Sequence, residues 1–492
     1  MSLLGIDIGT TGCKAVVFSL DGGEMAKSYC DYEIISEKDG YAELNSYEVW
    51  GKVLNTIRDV ALQTIYDPIQ ALSVSSIGEA IVPVTKDRRI LGNTILGTDM
   101  RGSEFLEKLQ NSYEANEIYR ITGNLPGNFY SMPKIAWIKE YQPNLFHKAD
   151  YFLTWADFVC FMLGGIPVTN FSLACRTLLF DIHNRKWSDK MLSIVDLDST
   201  KLAIPYPAGK MLGYVCEDLA KQLYLNNNVS IISGSHDQCC AVLGSGIKID
   251  SKVAMFGMGS FICMVRVFPQ MPDIYSMYEN KMHIEHHVIP GSFISFIYNQ
   301  SGGALIKWFK QTFGFDYRKS SSKQNNYDAL FEEIPEKSNE IIVIPRFGAT
   351  GPPDFHNGNQ GCITGLSLNH TRGDILFALL EGMCFYIRDC LDELKGPFNE
   401  VDFLVATGGG SVSVKWLQIT ADILGKTITR NMVTEASSLG AAIIAGKGSG
   451  LFATFDDAID SMVHKELTIK PDLAKNEYYS RKFEKYKMQT KK

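Results

Sequence analysis

Two segments of this chain share one design: an apolar strand runs into a glycine-flanked turn, and a second apolar strand leaves it. In the first, residues 3–9 lead into Gly9-Thr10-Thr11-Gly12, and Ala15-Val16-Val17-Phe18 follows. In the second, Val253-Ala254-Met255-Phe256 leads into Gly257-Met258-Gly259-Ser260, and residues 261–267 follow. Strand, tight turn and strand make a β-hairpin, whereas a dinucleotide-binding fold would send such a turn into a helix. Each hairpin is followed by mixed α/β sequence, which marks a weak internal repeat. A chain of 492 residues is too long for one ordinary core, so the reading is two α/β domains, 1–247 and 248–492.

The rest of the pattern fits that division. Helical periodicity predicts helices over 46–64 and 101–119, with strands near 71–76 and 81–85. Val229–Ser233 reads as a buried strand that passes through Gly234-Ser235-His236-Asp237 into a small-residue helix, 238–244. Val401–Ala406 is a strand, Thr407-Gly408-Gly409-Gly410-Ser411 a turn, and 413–424 a helix closed by Gly425. Ser437–Ala442 opens another helix rich in small residues, and the basic, aromatic tail from Lys475 reads as a solvated helix.

Composition narrows the class. Hydrophobic residues make up 45% and charged residues 21%, with a formal net charge of -7. That is a globular protein without the basic surface that nucleic acid or a membrane anchor would require. The apolar stretch Tyr151–Val168 contains Asp157 and two glycines and begins on the capping box Thr154-Trp155-Ala156-Asp157, so it predicts a core helix rather than a membrane span. Met1–Ile6 carries no basic leader region, and the expected location is cytoplasmic. The eleven cysteines lack any CxxC pair and predict reduced, mostly buried thiols.

Phosphoryl transfer needs donors around the phosphates, a cation to offset charge, and a carboxylate for the acceptor's proton. Gly9, Thr10, Thr11, Gly12 and Lys14 supply the first. Asp7, two residues ahead of Gly9 on the same strand face, suits a hydrated Mg²⁺; the plainer reading is a hairpin with a turn-stabilising aspartate. Gly257, Gly259 and Ser260 form the matching turn of the second half. Asp237, between a buried strand and a helix start, is the candidate general base, or else a helix cap. His283, Glu285, His286 and His287 suggest a metal, but a half-exposed strand would send His286 and His287 to opposite faces.

These segments, in this order, resemble the FGGY carbohydrate kinases over essentially the whole chain. The matching stretches are Gly-Ile-Asp-Ile-Gly-Thr-Thr-Gly (5–12), Ser-Met-Pro-Lys-Ile-Ala-Trp-Ile (131–138), Gly-Ser-His-Asp-Gln (234–238), the run 408–425, and Glu-Ala-Ser-Ser-Leu-Gly-Ala-Ala (435–442). The resemblance implies two ribonuclease-H-like domains of the actin/hexokinase ATPase type, closing on ATP and Mg²⁺ in a central cleft. It implies Asp237 as catalytic base, Asp7 near Mg²⁺, and Thr10, Thr11 and Lys14 in the phosphate loop. Gly303, Gly409 and Ser413 would lie beside the nucleotide. Glu79, Asp99, Arg101 and Phe129 fall at sugar-pocket positions. The arginine that precedes this glutamate in glycerol kinases is Gly78 here, their glycerol-contacting tyrosine is Phe129, and the Met-His pair of xylulokinases is missing.

The expected function is therefore an ATP-dependent kinase for a small ketose or polyol, a pentulose such as xylulose ahead of glycerol. The rivals are a non-catalytic sugar or nucleotide sensor and a chaperone-type ATPase. The sensor would not need both Asp7 and Asp237, and the chaperone would need an added substrate-binding domain. A homodimer is the family habit.

Overall fold

The computed structural model describes residues 1–249, 252–314, 326–394, 398 and 400–490. Its frame is a pair of seven-stranded sheets. Across the first, the strands run Met211–Tyr214, Ser230–Ile232, Ile69–Ser76, Ser2–Ile8, Gly12–Ser19 and Glu24–Asp31, and Ser235–His236 adds to the end of Ile69–Ser76. Across the second, they run Glu285–His286, Phe293–Asn299, Ile262–Phe268, Val253–Met258, Phe403–Thr407, Thr427–Asn431 and Lys465–Ile469.

The two glycine turns occupy equivalent places. Each joins a central antiparallel pair, Ser2–Ile8 with Gly12–Ser19 and Val253–Met258 with Ile262–Phe268. In each sheet the strand entering the turn lies parallel to the next strand inward, Ile69–Ser76 or Phe403–Thr407. Such central strands are covered on both faces, which is why they read as continuous apolar runs rather than alternating ones. The expected internal repeat is thus a repeat of topology, that of two ribonuclease-H-like sheets.

Two helices lock the sheets together. Asp237–Gly244 packs on Ala436–Gly448, and the latter lies across Ser2–Ile8 and Ile69–Ser76 of the first sheet. Small residues permit this approach. A Cβ on Gly440 would meet the carbonyl oxygen of Cys240 at 1.9 Å, and one on Gly5 would meet that of Ser438 at 1.8 Å. Beside the first sheet, Glu43–Leu44, Thr94–Ile95, Ile81–Val84 and Tyr151–Thr154 form a small four-stranded sheet.

Most expected elements stand within a residue or two: the helices Ser46–Gln63, Asp237–Gly244, Val414–Leu424 and Ala436–Gly448, and Gly425 closing its helix at φ +66°. The apolar stretch from Tyr151 gives the expected core helix at Trp155–Leu163, with Thr154 at its N-cap and Gly164 at its end, behind the short strand Tyr151–Thr154. Three expectations need correction. The helix expected over 101–119 breaks at Tyr113 and Glu114 into Ser103–Ser112 and Ala115–Thr122. The tail helix Leu473–Thr490 is docked rather than solvated: Tyr479, Phe483 and Tyr486 are buried, the latter two against Phe385. Finally, His283, Glu285, His286 and His287 are all buried, because their segment is packed against the helix Phe171–Cys175. All eleven cysteines are free; Cys216 and Cys362 are the exposed ones. Among the described residues no helix is long and apolar enough to cross a membrane.

Candidate active site

The first turn closes by a hydrogen bond from Gly9 N to Gly12 O of 2.9 Å, and Tyr32 Oη donates to Gly9 O at 2.6 Å. The strand register puts Asp7 opposite Lys14 on one side and Ser75 on the other. Ser75 Oγ donates to Asp7 Oδ1 at 2.7 Å. Burial raises the Asp7 carboxyl to about 6; the Ser75 hydrogen bond opposes the rise and the nearby Asp237 charge adds to it. Thr10 is half-buried and Thr11 exposed. Lys14 is ion-paired to Glu435, which also holds Lys27 and stands at the start of the helix Ala436–Gly448. That link joins the first turn to the second half of the chain.

Three glycine segments of the second half converge. Gly303 N donates to Gly259 O at 2.8 Å, and Ala304 N donates to Ser260 O at 3.0 Å, so the helix Gly303–Phe313 begins on the second turn. Gly408, at φ +83°, approaches from the other side: its Cβ would stand 3.0 Å from Gly259 N. Gly409 faces open space, with no atom within 4 Å of a Cβ built on it. Ser413 caps the helix Val414–Leu424, accepting from Trp416 N at 3.3 Å. Backbone surfaces bare of side chains admit a flat ring or a phosphate at close range.

Asp237 begins its helix without capping it. His236 holds the cap position, and Asp237 Oδ1 lies 3.1 Å from His236 Nε2 and 3.2 Å from Gln238 Nε2. Burial raises its carboxyl, His236 pulls it down, and the Glu79 charge adds to the rise, so it is a stronger base than an exposed aspartate. His236 Nδ1 is 2.7 Å from Oε1 of the buried Glu285, whose Oε2 lies 3.9 Å from Arg176 Nη1. Arg176 in turn donates from Nε to Glu79 Oε1 at 2.9 Å. Burial alone would raise Glu79, but Arg176 and then His236 hold it below the ordinary carboxylate range. Cys239 Sγ also approaches Glu285 Oε1, at 3.3 Å. His236, Cys239 and Glu285 thus place three ligand-type atoms within 4.8 Å, and Nδ1 and Sγ both lie within hydrogen-bond distance of the one oxygen Oε1.

A narrow cleft lies beside this chain of charges, lined by Leu125, Phe129, Arg176, His283, Phe296 and Tyr298 among others. The first three come from the segment ahead of residue 247 and the rest from the segment beyond it. His283 Nε2 is buried without a hydrogen-bond partner, and its ring stands edge-on to Phe296 with centroids 4.0 Å apart. Burial, with Arg176 and His236 nearby, depresses its pKa well below the usual range and keeps it neutral.

Of the expected sugar-pocket residues, Phe129 lines the cleft and Glu79 stands behind Arg176. Asp99 and Arg101 are spent elsewhere. Arg101 pairs with Asp99 at 2.6 Å and with Glu43 at 2.6 Å, and its guanidinium is covered by Tyr41 and Trp137. Asp99 also accepts from Ala42 N at 2.6 Å. Residue pattern does not point Arg176, His236, His283 or Glu285 to the cleft. Gly78 carried the one local signal: a missing side chain next to Glu79 implies that another group fills its place.

Family models for the N-terminal and C-terminal domains of the FGGY family of carbohydrate kinases match residues 2–244 and 277–449. The chain is 26% identical over 478 residues to a xylulose kinase of Lactococcus lactis, covering 96% of this chain and 92% of that one. It is 27% identical over 469 residues to a glycerol kinase of Lactobacillus acidophilus, covering 92% and 91%. The crystal structure of a xylulose kinase from Lactobacillus acidophilus superposes with a TM-score of 0.85 at 22% identity, over 99% of this chain and 96% of that one; at that identity the likeness speaks for the fold. Both halves carrying the family's domains, in order and with the topology described above, the chain belongs to the FGGY family of carbohydrate kinases, ATP-dependent enzymes that phosphorylate sugars.

Proposed function

We propose that this enzyme transfers the γ-phosphoryl group of Mg·ATP to a hydroxyl of a neutral ketose, a pentulose such as xylulose, with Asp237 as the general base. The observation that carries the substrate class is the state of Arg176. Its guanidinium is flanked by Glu79 and Glu285, so the cation in the cleft is already neutralised and offers little to a sugar acid. Aromatic walls and a neutral His283 suit the C–H faces and hydroxyls of an uncharged sugar. The full-length likeness to xylulose kinases favours a pentulose within that class.

The same reading divides the chain at 247/248, sugar pocket and base ahead of it and nucleotide site beyond it. ATP would lie against the Gly257–Ser260, Gly303 and Gly408–Gly409 surfaces, with Ser413 beside it and its phosphates toward Gly9–Gly12 and Lys14. The fit to Mg²⁺ rests on Asp7: a hard oxygen donor, buried beside the first glycine turn, whose carboxyl burial raises to about 6 and with Asp237 close enough to add to the rise. When bound, the ion would offset charge on the triphosphate. Asp237 takes the proton of the acceptor hydroxyl as that oxygen bonds to phosphorus, and ADP leaves. Asp99 and Arg101 support the wall: Asn128 Nδ2 donates to Asp99 O at 2.9 Å, next to Phe129.

ADP release with Mg·ATP, measured against ketoses, aldoses, glycerol and sugar acids, tests this directly. Stimulation by a pentulose is expected. Stimulation by a sugar acid alone would overturn the substrate class, and by glycerol alone the choice within neutral polyols.

A further inference from the structure

His236 stands between two carboxylates that come from different sheets. Asp237 follows it on the first-sheet side, and Glu285 sits on the edge strand of the second sheet. A neutral imidazole has one hydrogen and would satisfy one carboxylate; an imidazolium satisfies both, with Nε2–H toward Asp237 and Nδ1–H toward Glu285. Glu285 is fully buried and its Oε2 has no hydrogen bond, so without the Nδ1 hydrogen it would depend on Arg176 at 3.9 Å and on the weak Cys239 thiol.

Resting on the assignment of Asp237 as base, we propose that His236 and Glu285 are positioning residues: Glu285 fixes the ring of His236, and His236 orients the carboxylate of Asp237. The imidazolium ties down Oδ1 of Asp237 and leaves Oδ2 for the acceptor hydroxyl. Glu285 is itself held on both sides by the first half of the chain: Ile284 N donates to Gly123 O at 2.7 Å, and His286 Nε2 lies 2.9 Å from Ile182 O. Its carboxylate therefore fixes the ring angle of His236 and holds the second proton of the imidazolium.

The surroundings agree on every side. Asp237 faces the ring from its own helix, Glu285 from the second sheet's edge strand and His283 from just before it, Arg176 from the end of the helix Phe171–Cys175, and Glu79 from the loop after Ile69–Ser76. His236 N also accepts a place in this frame by donating to Ser172 Oγ at 3.0 Å. Burial and Arg176 oppose the imidazolium, but the two carboxylates outweigh them and its pKa is raised.

The test is the pH dependence of kcat for wild type, Glu285→Gln, His236→Gln and the double variant, with Asp237→Asn as control. Glu285→Gln should lower kcat about tenfold to a hundredfold with KM for ATP unchanged, and move the alkaline limb to lower pH, since His236 now loses its proton earlier. His236→Gln keeps a neutral donor near Asp237, so its profile should lose that limb altogether. The double variant should be no slower than His236→Gln. An alkaline limb in His236→Gln identical to wild type would overturn the proposal, whether or not Glu285→Gln folds, and so would additive effects in a folded double variant. Full activity in Asp237→Asn would instead overturn the base assignment beneath it.

Discussion

A Cβ on Gly78 would stand 2.6 Å from Cγ of Arg176 and 3.0 Å from Cδ2 of His236. Residue 78 is therefore bare because a side chain from almost a hundred positions later fills its space, and that side chain pairs with Glu79. Arg176 thus stands beside Glu79 through the fold and not through the sequence. Gly78→Ala should push Arg176 off Glu79, losing a charge-assisted contact of about 1.5–3 kcal/mol. KM for the sugar should rise about tenfold or more, while KM for ATP stays within about twofold. Initial-rate kinetics with each substrate varied in turn would show the split.

The helix pair that joins the sheets leaves no room at Gly440. Valine there would drive side-chain carbons into the Cys240 carbonyl, and overpacking of this kind costs about 1–3 kcal/mol. The expected result is a lower urea midpoint with an unchanged slope. Gly409→Ala, which meets nothing, should leave the midpoint unmoved.

Asp157 is buried and accepts from Thr154 Oγ1 at 2.7 Å. Burial raises its carboxyl from 3.8 to about 7, against the pull of the Thr154 and Thr169 hydroxyls. The folded state therefore holds a proton between about pH 4 and 7 that the unfolded state has released. This group's contribution to stability falls as pH rises through that window and is flat above it. Asp157→Asn removes the titration, so its melting temperature relative to wild type should climb between pH 5 and pH 7 and then level off. A difference independent of pH would count against a protonated Asp157.

Much of the frame is legible in the residues. Both glycine turns, the central strands and the small-residue helices are local patterns, and local patterns dictate local structure. What joins them is not local. Glu285 reads as part of a histidine-rich strand until the fold sets His236 across from it, and Arg176 reads as an ordinary residue after a short helix. Asp99 and Arg101 show the converse: a motif that marks the sugar pocket by position turns out to spend its charge on itself and on Glu43. Periodicity identifies which face is buried, but the partner of a buried charge is a property of the tertiary arrangement. The docked tail helix follows the same logic, since its aromatic residues acquire meaning only against Phe385.

The central claim is that Asp237 takes the acceptor's proton in the cleft. The most direct measurement is single-turnover phosphoryl transfer from Mg·ATP to the pentulose by Asp237→Asn, with ADP affinity measured calorimetrically on the same sample. The account predicts a rate lower by about 10²–10⁴-fold with ADP affinity unchanged. A variant that still transfers phosphate at close to the wild-type rate would contradict it.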